Sequence, residues 1–349
     1  MKKLPTDINL NTIKILQHLS QASFKLGELN GIVKLLPNPN ILLNAILLGE
    51  SKSSSEIENI ITTYDDLYKE MISSHSSQSA KEVLRYREAI NAGVRRINER
   101  SILTINDIVA VHHIVEPDKG NIRKLPGTII KNSKTNEVVY TPPQSEEEIR
   151  DFLRNFEFYL NTSVDYDPIV NMAILHYQFE AIHPFYDGNG RVGRIINILY
   201  LMLNKKLNQP IIYLSKYINE NRDEYYKLLN LVQEDDKNLE DFVVYMLKAV
   251  EEMSVFTIDF IEQLTSEIEK IKREINQMLP SIYTSELIDA LFHDFYTKNE
   301  LLRARLGISR NTASSYLKEL VKVGLLSETK VGKEVIYKNN SLYQLIEKW

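Results

Sequence analysis

The stretch His183-Pro184-Phe185-Tyr186-Asp187-Gly188-Asn189-Gly190-Arg191-Val192-Gly193-Arg194 decides how this chain is read. Before it, residues 168–181 place Ile169, Met172, Ala173, Leu175 and Phe179 at helical spacing. Gly188-Asn189-Gly190 cannot continue that helix cheaply, because these residue types favour positive φ. From Arg191 a second apolar helical run begins, with Ile195, Ile196, Leu199 and Met202. The segment therefore reads as a tight loop entering a helix N-terminus, where successive amide N–H groups and the helix dipole attract anions. Arg191 and Arg194 lie three apart on neighbouring positions of that helix. Two guanidinium groups over a nest of amides suit a polyphosphate.

His183 and Asp187 flank the loop. A carboxylate beside phosphates suits Mg²⁺, a hard cation that prefers oxygen ligands. A neutral histidine nearby is a candidate general base for an incoming hydroxyl. No GxxxxGK[ST] is present, so this is not a P-loop. His176 lies seven residues before His183, but a zinc site would need a further ligand and no HExxH occurs. His176 reads as a hydrogen-bonded core histidine, and His112 and His113 as ordinary helix residues.

The segment matches the signature of the Fic family, HPFx[DE]GNGRxxR, at every defined position. The chain resembles that family over roughly residues 30–250. The resemblance implies transfer of AMP from ATP, with Mg²⁺, to a hydroxyl of a protein. It assigns His183 as the base and Asp187 as the Mg²⁺ ligand. It assigns Gly188, Asn189, Gly190 and Arg191 as the α- and β-phosphate cradle, and Arg194 as the γ-phosphate contact. Phe185 is similar to the family's buried anchor.

A second motif lies upstream. Ser54-Ser55-Glu56-Ile57-Glu58-Asn59 matches the family's inhibitory pattern [S/T]xxxE[G/N]. The resemblance implies that Glu58 pairs with Arg194, with Ser54 and Asn59 completing the motif. The same residues also read as an S-x-x-E capping box, with Ser51–Ser55 as a helix start. That reading makes Glu58 a cap worth about 1 kcal/mol.

Two β-like runs, Thr128-Ile129-Ile130 and 138–141, flank a polar turn over 132–137 and predict a hairpin. Fic proteins carry a flap there, which resembles an edge strand that docks an extended target by main-chain pairing. Arg123 matches the family's GxxR and is assigned with Thr128, Ile129 and Ile130 to flap and target docking. Tyr225 and Tyr226 resemble the family's adenine-side pair, and they fit a buried helix face equally well.

The chain has 349 residues, a net charge of −5, 43% hydrophobic residues and no cysteine. The length predicts two or three domains. Lack of cysteine excludes disulfides and thiolate zinc sites. No signal peptide or apolar membrane span is read, so a soluble cytoplasmic protein is expected. Ile261, Leu264, Ile268, Ile271, Ile275 and Met278 follow heptad spacing over less than three heptads. This is either a connecting helix packed on a neighbour or a dimer seam, and Fic relatives also point toward a homodimer.

Residues 284–349 hold ten Lys/Arg and eight Asp/Glu. Helices over 285–296, 298–306 and 309–323, then strands over 325–330 and 334–338, resemble a winged helix-turn-helix. Its recognition helix would present Arg310, Asn311, Thr312 and Ser314 to DNA, and a protein-interaction wing is the alternative. The expected fold class is mainly α. It comprises a Fic-type helical core with a β-hairpin flap and a C-terminal winged helix-turn-helix domain. The expected division is 1–100, a helical region carrying the inhibitory motif; 101–250, the catalytic core; 251–280, a connecting helix; and 281–349, the winged helix. The expected function is an autoinhibited adenylyltransferase acting on a protein Ser, Thr or Tyr hydroxyl, with the chain itself one candidate target. The alternatives are a DNA-binding regulator with a Fic sensor core, or a Fic enzyme that removes AMP or uses another nucleotide.

Overall fold

The computed structural model describes residues 2–36, 40–73, 77–131, 138–162, 165–293, 295–331 and 334–348. The fold is mainly helical. Up to the signature loop the helices are α1 (Ile13–Lys34), α2 (Asn40–Ile57), α3 (Tyr64–Ser73), α4 (Gln78–Arg100), α5 (Ile105–Val115), α6 (Glu146–Thr162) and α7 (Pro168–Ile182). After it come α8 (Asn189–Leu203), α9 (Leu214–Glu220), α10 (Arg222–Glu234) and the long α11 (Leu239–Met278). Two compact units form. One comprises Met1–Ile32, Leu47–Ile60 and Glu82–Val255, and the other Val33–Ile46, Ile61–Lys81 and Phe256–Trp349.

The first unit is built around α7 and α8, which pack along each other with α5 against α8 and α6 against α7. Buried residues run round every side of α7, as expected of a helix inside a core rather than at its edge. Asp167 caps its start by accepting from the Ile169 N–H, and Pro168 supplies a preset φ at the first position. Helix α5 opens with a capping box in which Thr104 and Asp107 each accept from the other's backbone.

The hairpin pairs β1 (Ile130–Lys131) with β2 (Val138–Tyr140), Ile130 opposite Tyr140. Thr128 and Ile129 fall outside β1, contrary to the expected run. Continuing the register puts Thr128 opposite Pro142, which has no N–H to donate. The Gln144 side chain takes over that role, donating to the Thr128 carbonyl at 2.9 Å and accepting from the Gly127 N–H at 2.7 Å. The expected turn over 132–137 lies outside the described residues.

Ser51–Ser55 form the C-terminal part of α2, not a helix start. The Ser55 hydroxyl donates to the Ser51 carbonyl at 2.8 Å, and Ser51 donates to the Leu47 carbonyl, so these buried hydroxyls satisfy themselves within the helix. The helix ends in a Schellman turn. The Ile60 N–H donates to the Ser55 carbonyl and the Asn59 N–H to the Glu56 carbonyl, both at 3.0 Å, with Asn59 left-handed at φ 64°. The S-x-x-E pattern is therefore not an N-terminal capping box, and Glu58 occupies the C-cap.

In the second unit, α12 (Ser285–Leu291), β3 (Tyr296–Lys298), α13 (Asn299–Leu306), α14 (Arg310–Lys322), β4 (Leu326–Val331), β5 (Glu334–Asn339) and α15 (Asn340–Lys348) follow in order. The sheet is antiparallel in the order β3-β5-β4. The expected helix over 285–296 stops at Leu291, because Tyr296–Lys298 pair with Lys338, Tyr337 and Ile336 instead. Residues 332 and 333 of the expected connection lie outside the described residues. Ile261, Leu264, Ile271 and Ile275 of the heptad seam are buried within the protomer. Among the described residues, no helix is long and apolar enough to cross a membrane.

Candidate active site

The site begins where α7 ends. His183 is its C-cap, in the left-handed region at φ 48° and ψ 58°, with its N–H on the Phe179 carbonyl. Such backbone costs a residue with a Cβ about 1–2 kcal/mol. Arg123, fully buried, holds the turn from beneath. Its Nε donates to the His183 carbonyl at 2.7 Å, its other arm to the Ile182 carbonyl at 3.3 Å, and its backbone N–H to the Pro184 carbonyl at 2.9 Å. Burial pushes the His183 imidazole down to about 4, the nearby Arg123 charge adding to the effect. His183 is therefore neutral at pH 7.

The loop is braced by its own residues. The Asn189 side chain accepts from the Phe185 N–H and donates to the Phe185 carbonyl, both at 2.9 Å. Phe185 is buried and stacks on His112, ring centres 3.8 Å apart. The His112 Nε2 lies 3.0 Å from the Asp187 carbonyl, so that nitrogen carries the proton and donates. Burial holds His112 at about 4. Gly188, at φ 74°, turns the chain into α8. Asp187 is half exposed, with one oxygen accepting from the Gly188 N–H at 2.7 Å and the other 3.4 Å from the Lys119 ammonium.

Arg191 and Arg194 are both buried in the first turns of α8. Glu58 spans them. Its Oε2 accepts from Arg191 Nε at 2.8 Å, and its Oε1 from Arg194 at 2.9 Å. Arg194 also donates to the Ser54 hydroxyl at 2.8 Å and the Ser54 carbonyl at 2.9 Å, at the end of α2 where partial negative charge gathers. Arg191 donates to Glu116 at 2.6 Å. The carboxylates raise both guanidinium pKa values against the opposing effect of burial. A Cβ on Gly190 would come within 2.7 Å of Glu58 Oε1, so the glycine admits this close approach.

Three family models match the chain in order: Fic/DOC family N-terminal over residues 16–95, Fic/DOC family over 98–201, and Protein adenylyltransferase SoFic-like, C-terminal domain, over 268–342. The chain belongs to the Fic/DOC family. Protein adenylyltransferase Fic of Aedes aegypti is 24% identical over 275 residues, covering 74% of this chain and 51% of the relative. Protein adenylyltransferase fic-1 of Caenorhabditis elegans is 30% identical over 178 residues, covering 48% of this chain and 33% of the relative. The chain thus spans about half or less of the length of these curated relatives. A solved Fic family protein from Desulfovibrio desulfuricans G20 shares the fold, with a TM-score of 0.61 at 20% identity and coverage of 97% and 98% of the two chains.

Seen as a Fic protein, the chain brings the residues from His183 to Arg194, Ser54 and Glu58 into one site. Arg123 lies beneath that site, not on the flap's outer edge. The tyrosine pair divides. Tyr225 is buried with its hydroxyl 2.7 Å from His176 Nε2, while Tyr226 is 42% exposed with Arg222 over its ring. His176 is buried and also meets Asn197 at 3.1 Å, a core histidine held down to about 3 by burial. In α14, the Ser314 hydroxyl accepts from Asn299 and Thr312 bonds Ser309, so Arg310 and Asn311 remain as the exposed polar pair of that first turn.

Sequence reading missed His112, Glu116 and Glu180. Glu180 sits in the last turn of α7, and burial raises its carboxyl to about 7 against the pull of Arg194. None of these three belongs to a short motif. The one available signal was helical position, with Glu180 a single turn before His183.

Proposed function

We propose that this chain is an autoinhibited protein adenylyltransferase, transferring AMP from ATP to a Ser, Thr or Tyr hydroxyl of a protein, with the chain itself among the candidate targets. The observation that carries this reading is the pair of buried arginines at the N-terminus of α8, beside neutral His183 and bridged by one carboxylate. In the reaction, the target hydroxyl oxygen attacks the α-phosphorus, the bond to the β-phosphate oxygen breaks and pyrophosphate leaves. His183 takes the hydroxyl proton. Negative phosphates raise the affinity of a neighbouring imidazole for protons, improving it as a base. Arg191, Arg194 and the amides of Gly188–Gly190 stabilise the phosphate charge.

Among the described residues, no group of three or more acidic or histidine side chains forms a preassembled metal cage. Mg²⁺ needs none, since one carboxylate plus substrate phosphates suffices, and half-exposed Asp187 fits that part. Bound there, Mg²⁺ would neutralise phosphate charge. Residues 101–250 would then hold the catalytic core and 1–100 the inhibitory segment, joined through 251–280 to a winged helix over 281–349. The helix–turn–helix of α13, Gly307 and α14, followed by β4 and β5, supports that last assignment. Thr128, Ile129 and Ile130 would dock an extended target, Ile129 being exposed beside β1.

The test is transfer from α-labelled ATP with Mg²⁺ by the wild type, Glu58→Gly and Glu58→Gly/His183→Ala, with and without cell lysate. Label strong in Glu58→Gly and absent from the double variant is the expected result. Folded, ATP-binding protein without label in all three would overturn AMP transfer and turn attention to AMP removal or another nucleotide. A second reading, DNA capture by the C-terminal unit, rests on exposed Arg310 and Asn311. It requires salt-dependent duplex binding that Arg310→Ala weakens.

A further inference from the structure

Arg191 is hydrogen-bonded to two carboxylates that are not equivalent, with Asp187 a more distant third at 3.9 Å. Glu58 belongs to the C-terminal turn of α2, an element remote in sequence from the signature loop. Glu116 is the C-cap of α5, its N–H on the His112 carbonyl at 2.7 Å. That helix is tied to the signature loop. His112 stacks on Phe185 and bonds the Asp187 carbonyl, and Val115 is fully buried. The Glu116 stem also presses on the loop, since its Cγ lies 3.0 Å from where a Cβ on Gly188 would stand. The glycine therefore accommodates both a left-handed turn and the glutamate beside it. Glu116 accepts from Arg191 at 2.6 Å, its side chain 12% exposed.

The guanidinium has a third nitrogen. The remaining Arg191 terminal nitrogen is buried and makes no hydrogen bond among the described residues. A buried guanidinium nitrogen left unpaired is costly, and it marks the direction from which an acceptor is missing. When Glu58 withdraws, Nε is released as well. Arg191 then offers two free donors while one arm stays on Glu116. Without that anchor, a long side chain would regain its rotamer freedom and lose the orientation of those two donors.

We propose that Glu116 is a positioning residue that pins Arg191 from the loop side, so that its Nε and its unpartnered terminal nitrogen are held in place for the nucleotide phosphates once Glu58 has left. The assignment rests on the adenylyltransferase reading for its ligand and on α5 for its geometry. It separates two roles on one arginine: Glu58 is exchanged for phosphate, and Glu116 stays.

The experiment uses the full chain in the Glu58→Gly background, adding Glu116→Ala, Glu116→Gln or no further change. Binding of ATP and of inorganic tripolyphosphate is measured by calorimetry, and kcat and KM by label transfer. Glu116→Ala should weaken binding of both probes and raise KM for ATP by roughly ten-fold, the factor that about 1.4 kcal/mol represents. Glu116→Gln, which keeps an acceptor oxygen, should recover most of the loss. Unchanged affinity and KM in folded Glu116→Ala would overturn the proposal, as would a fall in melting temperature with no change in KM. Transfer switched on by Glu116→Gln in the otherwise wild-type chain would also overturn it, making Glu116 a second inhibitory carboxylate. The calorimetric arm separates this proposal from the enzymatic one. A variant that binds ATP without transferring AMP removes the enzymatic reading and leaves the Glu116 comparison legible. Failure of Glu58→Gly to bind either probe overturns both.

Discussion

The Arg123 guanidinium donates to the carbonyl of His183 at 2.7 Å, fastening from beneath the residue that opens the signature loop. His183 is left-handed without being glycine, and the charge-assisted bonds of Arg123 hold it there. Arg123→Ala leaves two carbonyls without this donor and opens space under the turn. It should cost about 2–4 kcal/mol of stability, and it should reduce transfer in the Glu58→Gly background more than it reduces ATP binding. Urea unfolding and calorimetry check this. An unchanged urea midpoint would show that the clamp is dispensable.

Glu58 compensates two buried arginines at once. Removing one partner of a buried ion pair costs about 3–5 kcal/mol, well above the loss of a helix cap. Glu58→Gly should therefore melt at a lower temperature than wild type. ATP with Mg²⁺ should raise the melting temperature of Glu58→Gly more than that of wild type, because stabilisation by a ligand grows with the logarithm of its concentration over Kd. Equal shifts in a thermal-shift assay would count against Glu58 as the occluding group.

Asn59 is placed for its backbone. It provides the left-handed residue that closes the turn carrying Glu58. Asn59→Gly should be nearly neutral, whereas Asn59→Val should cost about 1–2 kcal/mol. The valine variant should also raise AMP transfer by loosening Glu58. Label incorporation and the urea midpoint, measured on both variants, would show whether conformation is the relevant property.

Acidification should destabilise the fold before most carboxylates titrate. His112 and His183 are held at about 4 and His176 at about 3, all by burial. From about pH 6.5 down to 4 the unfolded chain binds protons that these folded histidines refuse, so stability falls as pH falls through that window. Glu180 opposes this. Raised to about 7 when folded, it binds a proton that the unfolded chain releases above its usual range, so its contribution falls as pH rises toward 7. Burial raises the Glu50 carboxyl as well, and three histidines outweigh these two carboxyls. The urea midpoint should drop between pH 7 and pH 4.5, and His112→Gln should flatten the drop. A midpoint independent of pH over that range would contradict the burial of these rings.

The hairpin shows how local signals lose to tertiary ones. The β-prone residues at 128–130 were legible, but strand pairing stops where Pro142 offers no donor and Gln144 intervenes. The first helix of the C-terminal unit was drawn too long for a related reason, since Tyr296–Lys298 find a partner strand some forty residues downstream. Periodicity reports what a segment does alone, not which neighbour claims it.

Within the site the division has the same cause. The residues from His183 to Arg194 were legible because their chemistry is local: glycine and asparagine at a turn, a helix N-terminus, and arginines one turn apart. Ser55-Glu56-Ile57-Glu58 remained ambiguous, since the same four residues suit a helix start or an inhibitory turn until the helix that carries them is placed. Glu58 reaches across 133 and 136 residues to bridge Arg191 and Arg194, Glu116 meets Arg191 from α5, and Arg123 is buried beneath His183. The sequence by itself determined the loop and its charges, because short-range sterics and hydrogen bonding dictate them. The tertiary structure alone decided which carboxylate holds which arginine, because Glu58 and Glu116 lie on elements far from Arg191 and Arg194 in sequence, and only packing brings them within hydrogen-bond reach.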